Sequence, residues 1–172
     1  RIKHEGWRLI GVDNPESVAD HSLRAAQIAY FLARMERYPR PHEIVTMLVF
    51  HEMGEARVGD LHKVACHYME RAEDKAVHDQ TESLGEYGEE IMRIWKEMEE
   101  RKTHAAKIMK DADYLEQAIT GKELVERGYS YAEDWITNVA GALRTESAKK
   151  LLDCIRTTNS NEWWQGLKKV YK

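Results

Sequence analysis

Proline is scarce in this chain. Three occur among 172 residues, beside ten glycines, which excludes a collagen-like repeat, proline-rich linkers and low-complexity disorder. Cysteine is scarcer. Cys66 and Cys154 are the two present, too few for a disulfide framework and without zinc-type spacing, so they read as reduced thiols in a cytoplasmic protein. Long hydrophobic runs are missing. The longest, Ile28 to Ala33, is far short of the roughly 20 residues that cross a bilayer, so no membrane partner is expected, and no secretory or lipidation signal is visible. Charge of one sign is absent too: 26 Lys and Arg against 30 Asp and Glu leave a net −4, mixed along the chain. No basic stripe follows a nucleic-acid polymer, although one small anionic ligand fits such a surface in a local pocket. The length suits one domain over residues 1–172.

What is present is helical periodicity almost from end to end. Asn14-Pro15-Glu16-Ser17 reads as a helix start, with Asn14 as cap, Pro15 in the first turn and Glu16 at the positive end of the dipole. That helix is expected to run to about Arg37, where Tyr38-Pro39-Arg40-Pro41 stops it. A second opens at Pro41 with the stripe Ile44, Met47, Leu48, His51. A less regular stretch over 62–101 is interrupted around Gly85 and Gly88. A fifth helix starts near Thr103, a sixth carries Ile136 through Ile155, and a last short one holds Trp163, Trp164, Leu167, Val170 and Tyr171. No segment alternates with period two. The expectation is an all-α, single-domain bundle of six or seven helices.

Three places put polar side chains where core residues belong. His21 precedes Ala25 by four residues and Ile28 by seven, which places it on the buried face of its helix. His51 continues an apolar stripe and is followed by Glu52, with Glu55 one turn on. Asp113 follows Met109 by four and Ala106 by seven. A lone inward imidazole or carboxylate is ordinarily structural, and Asp113 could pair with Arg24 or Lys107. Burying four such groups costs several kcal/mol each unless they are paired or ligated, and a shared cation offsets the cost for all of them. A zinc-protease helix needs His-Glu-x-x-His; the fifth residue here is Glu55, which excludes that reading.

The order His21, His51-Glu52, Asp113 resembles the metal-binding signature of the HD-domain phosphohydrolases. The surrounding blocks are more specific: Gly6-Trp7, Asn14 through Ser22, His51 through Asp60, and Lys110-Asp111-Ala112-Asp113-Tyr114-Leu115-Glu116 are similar to successive blocks of the YfbR-like 5'-deoxynucleotidase family. The resemblance covers about residues 1–120 and implies an HD-type bundle that removes the 5'-phosphate from deoxyribonucleoside monophosphates. It implies His21, His51, Glu52 and Asp113 as ligands of a divalent metal, Glu55 as the catalytic carboxylate, Asp60 as a contact to the sugar and Trp7 as an aromatic wall of the substrate pocket. His62, two residues past Asp60, is expected at the pocket rim. Mixed nitrogen and oxygen donors favour Mn, Co or Fe, with Mg, Zn or Ni possible. A homodimer is expected, from the resemblance and from the tryptophans near the C-terminus.

Two positions depart from the family. Its paired His-Asp is His51-Glu52 here, one methylene longer. Its Arg before the aromatic is Gly6 in this register, so the phosphate contact falls to His4, Lys3, Arg8 or Arg24, the last three residues beyond His21 and on nearly the same face. An ion-paired surface Arg is an equal reading of Arg24; Arg57 and Lys63 are weaker candidates. Alternatives to the deoxynucleotidase are an HD hydrolase of another phosphorylated metabolite, a nucleotide-binding regulatory protein weakened by Glu52, and a bundle acting through protein contacts.

Overall fold

The structure, a computed structural model, describes residues 1–167; the expected places of Val170 and Tyr171 lie outside them. Among the described residues are ten α-helices and three 3-10 turns, and the one β feature is an isolated bridge between Lys3 and Ser17. The all-α expectation is met, and the count of six or seven helices is not. Three of the additional helices are single turns, α3 (Glu55–Val58), α4 (Lys63–Cys66) and α10 (Glu162–Gln165). A 3.6-residue pattern cannot register in four residues.

α1 (Val18–Met35) begins later than the sequence suggests. Ser17, not Asn14, is its cap: Ser17 Oγ accepts from Asp20 N at 3.1 Å while Asp20 Oδ2 accepts from Ser17 N at 3.0 Å. That capping box satisfies two orphan backbone donors reciprocally, and it leaves Pro15 buried outside the helix. α2 (Pro41–Phe50) opens on the expected proline, and α5 (Glu73–Thr81) and α6 (Glu86–Glu100) form the region of irregular pattern. Gly85, at φ +57°, makes the break. Gly88 lies inside α6, where only glycine fits: a Cβ there would stand 2.0 Å from the carbonyl oxygen of Thr81.

α7 (His104–Glu126) starts next to Thr103 as expected, is capped by the Thr103 hydroxyl, and is the central element, packing against α1, α2, α6, α8 (Glu133–Ala142) and α9 (Glu146–Thr157). It is buried on most of its sides, with Ile108, Met109, Ala112, Leu115 and Ala118 all in the core. The expected sixth helix is two, α8 and α9. The corner between them is held by buried Asp111, whose carboxylate accepts from the backbone N–H groups of Arg144 at 2.9 Å and Thr145 at 2.7 Å and from the Thr145 hydroxyl at 2.7 Å. A tertiary anchor of this kind leaves no periodic trace. A small second cluster of Trp7, Val12, Leu124 and Ala132, with Trp135 beside it, packs the N-terminal segment onto the bundle. Trp95 joins the main core, whereas Trp163 is 77% exposed. No helix of the described residues is long and apolar enough to cross a membrane.

Candidate metal centre

α1, the end of α2 and the middle of α7 meet at one point. His21 stands in the first turns of α1, His51 is the residue just past α2 with helical backbone angles, and Asp113 lies in α7; all three are buried. His21 Nε2 is 3.3 Å from His51 Nε2 and 3.1 Å from Asp113 Oδ1, and Glu52 Oε1 is 3.2 Å from His51 Nε2. Donor atoms of His21, His51 and Glu52 all lie within 4.8 Å of one another. The extra methylene of Glu52 therefore does not keep its carboxylate from the cluster.

The donor set fits a divalent ion. His51 Nδ1 donates to the carbonyl of Leu48 at 2.8 Å, which leaves the Nε2 lone pair directed at the ring of His21. His21 Nδ1 bonds Glu116 Oε2, so its Nε2 also faces the cluster. Two ring nitrogens nose to nose, flanked by two carboxylates, need a shared positive charge between them. Ligands about 2.1 Å from an ion at right angles stand about 3.0 Å apart, close to the spacings observed.

The electrostatics without an ion show what fills that need. Burial opposes a charge on His21, but the carboxylates of Asp113 and Glu116 outweigh it and push the imidazole up to about 11. Burial holds His51 below its ordinary value, hence neutral. Asp113 is held well below the carboxylate range: its burial is overcome by the Lys110 ammonium and by His21. Glu55 moves the other way, to about 10, through burial and the adjacent Glu52. Glu55 is 4% exposed, and its Oε2 has no hydrogen-bond partner among the described residues.

Glu52 and Glu55 line a cavity of about 410 Å³, whose walls include His4, Trp7, Asp60, His62, Tyr114, Gln117, Trp135 and Asn138. Trp7 stacks at a tilt on Trp135, ring centroids 4.9 Å apart. Asp60 Oδ2 accepts the backbone N–H of Glu5 at 2.7 Å, and His62 caps α4 through Ala65 N at 3.1 Å. The structure does not bring Arg24 to this cavity. Its guanidinium is occupied by Glu116 at 2.6 Å and Glu123 at 3.0 Å, with Glu16 at 3.6 Å. Lys3 donates to the carbonyl of Pro15, and Arg8 is paired with Glu5. Of these four side chains only His4 lines the wall, its Nδ1 at 3.3 Å from Glu16 and its ring 4.6 Å from that of His21. Arg71, Arg101 and Lys110 border a second cavity of about 340 Å³ that also reaches His51 and Glu52.

Three participants escaped the sequence reading: Lys110, bonded to Asp113 Oδ2; Gln117, donating to Asp113 Oδ1 at 3.1 Å; and fully buried Glu116. The available signal was spacing, since positions 110, 113, 116 and 117 share one face of α7.

An all-helical fold in which separated helices bring two imidazoles and two carboxylates together is matched by a family model. Residues 1–154 match the model described as HD domain; the chain belongs to the HD domain family and is a phosphohydrolase. Within it, the chain belongs to the family of proteins named 5'-deoxynucleotidase. The 5'-deoxynucleotidase HDDC2 of Dictyostelium discoideum is 33% identical over 132 residues, 71% of this chain and 70% of that protein. The human protein of that name is 27% identical over 168 residues, covering 92% of this chain and 81% of its own length. Among solved structures, a conserved hypothetical protein from Pyrococcus furiosus superposes with a TM-score of 0.77 at 27% identity, covering 92% of this chain and 93% of that one.

Proposed function

We propose that the protein removes the 5'-phosphate from deoxyribonucleoside 5'-monophosphates, with His21, His51, Glu52 and Asp113 holding a divalent ion. The observation that carries this reading is the grouping of His21, His51 and Glu52 donor atoms within 4.8 Å of one another, with Asp113 Oδ1 3.1 Å from His21 Nε2 and with Glu52 lining a cavity that Trp7 and Asp60 also line. Such an ion lowers the pKa of water and withdraws charge from the phosphoryl group. The nitrogen and oxygen donors favour Mn, Co or Fe and are compatible with Mg, Zn or Ni.

Glu55 is the acid–base residue. Its buried carboxyl lies beside Glu52; it takes a proton from the attacking water and passes one to the leaving 5'-oxygen. His4, placed by Glu16, faces the phosphate end, and Asp60 and His62 take the sugar while Trp7 and Trp135 enclose the nucleoside. We take residues 1–172 as one HD-type domain of a cytoplasmic homodimer. The dimer has support in an apolar groove of about 380 Å³ lined by Ile28, Phe31, Leu115, Ile119, Leu151 and Ile155.

The test is phosphate release from a panel of deoxyribonucleoside and ribonucleoside monophosphates and flavin mononucleotide, with Mn, Co, Mg or Zn added to metal-stripped protein. Turnover concentrated on the deoxy series supports the proposal. Turnover on another phosphomonoester alone moves the substrate, and bound metal without turnover on any compound refutes the catalytic reading.

A further inference from the structure

Glu116 is not one of the four proposed ligands, yet this carboxylate is as buried as any group among the described residues. It lies on α7 one turn beyond Asp113, so both point at α1. Its Oε2 is bonded to Nδ1 of His21. Its Oε1 accepts from Arg24 Nε at 2.8 Å and from the Thr120 hydroxyl at 3.1 Å. With both oxygens held, the carboxylate cannot swivel. His21 in turn cannot rotate its ring without breaking a buried bond to a charged group, a loss of the full desolvation cost.

We propose that Glu116 is the positioning residue of the metal centre: it takes the Nδ1–H of His21, fixes the ring with Nε2 toward His51 and Asp113, and is itself held in place by Arg24. The inference rests on the ligand set proposed above. It accounts for the absence of Arg24 from the substrate cavity, because the guanidinium is engaged behind the ligand rather than in front of it. Carboxylates that hold a metal-bound imidazole in this way orient it and raise its basicity as a ligand. A plain core ion pair would also bury Glu116 and Arg24, but it would leave ion affinity indifferent to the charge at position 116.

The experiment compares Mn²⁺ affinity of metal-stripped wild type, Glu116→Gln and Glu116→Asp by chelator competition. It adds the absorption spectrum of the Co²⁺-loaded proteins and the melting temperature of the metal-free ones. Glu116→Gln keeps the shape and an acceptor while removing the charge. The expected result is an affinity loss of about 10–100-fold and a changed Co²⁺ spectrum, with a metal-free protein that still melts cooperatively. In an Arg24→Gln background the same substitution should lose less, since the two act through one contact. Should Glu116→Gln not fold, Glu116→Asp, which withdraws the carboxylate by about one methylene, decides, with a loss of at least about tenfold expected. Wild-type Mn²⁺ binding with affinity unchanged within about twofold in the folded variant overturns the positioning role alone. No Mn²⁺ binding by wild type overturns it together with the metal centre.

Discussion

Loading the metal centre should displace a proton, and the structure says from where. Ligation needs the Nε2 lone pair of His21, an imidazole that Asp113 and Glu116 hold protonated up to about 11 against its burial. At pH 7 that proton must leave for each ion bound. The gap between pH 7 and about 11 corresponds to about 5 kcal/mol at about 1.4 kcal/mol per pH unit. His51 is already neutral through burial and contributes none; Asp113 is already ionised. Glu55, protonated to about 10 through burial and the charge of Glu52, contributes up to a second proton when an ion neutralises Glu52. Calorimetric titration with Mn²⁺ in buffers of different ionisation enthalpy should therefore find between one and two protons released per ion. Apparent affinity should rise about tenfold per pH unit for each proton between about pH 6 and 8.5. The metal-free protein should respond oppositely. A histidine whose folded value is raised gives stability that is fully present below its ordinary 6.5 and is lost as pH climbs toward about 11. The raised carboxyl of Glu55 acts in the same direction above 4.5, so the metal-free melting temperature should fall from pH 6.5 to 9. Zero proton release, or an affinity flat across this range, would mean that no proton on His21 has to leave for the ion to bind.

Other substitutions separate chemistry from architecture. Glu55→Gln should lower turnover by about 10²–10⁴-fold while metal content, measured by elemental analysis, stays at the wild-type level. Glu52→Asp should weaken Mn²⁺ binding, because the backbone here places the longer side chain's oxygen 3.2 Å from His51 Nε2 and shortening withdraws it; higher affinity would show the glutamate to be a handicap. Asp111→Ala leaves the backbone donors of Arg144 and Thr145 unpaired at the α8–α9 corner. A loss of about 3 kcal/mol is expected, read by urea denaturation, with no effect on metal affinity.

The residues that could be placed from sequence are those whose spacing alone fixes a face. His21 four before Ala25 and Asp113 four after Met109 lie inward, as helical geometry requires, and His51 extends the Ile44–Met47–Leu48 stripe into the same centre. Spacing says which way a side chain points, not what stands opposite. Arg24 was legible as near His21, but its engagement by Glu16, Glu116 and Glu123 depends on two other segments folding against it. The same limit hid Asp111 and the corner it holds. The start of α1 failed for a different reason: Asn14 and Ser17 are both good caps, and the capping box with Asp20 decides between them.

The most direct measurement is diffraction at the manganese absorption edge from crystals grown with Mn²⁺. One anomalous peak is expected, about 2.0–2.3 Å from Nε2 of His21 and of His51 and from a carboxylate oxygen of Asp113 and of Glu52. A protein that binds Mn²⁺ in solution yet shows the peak away from these four side chains would contradict the four-ligand centre.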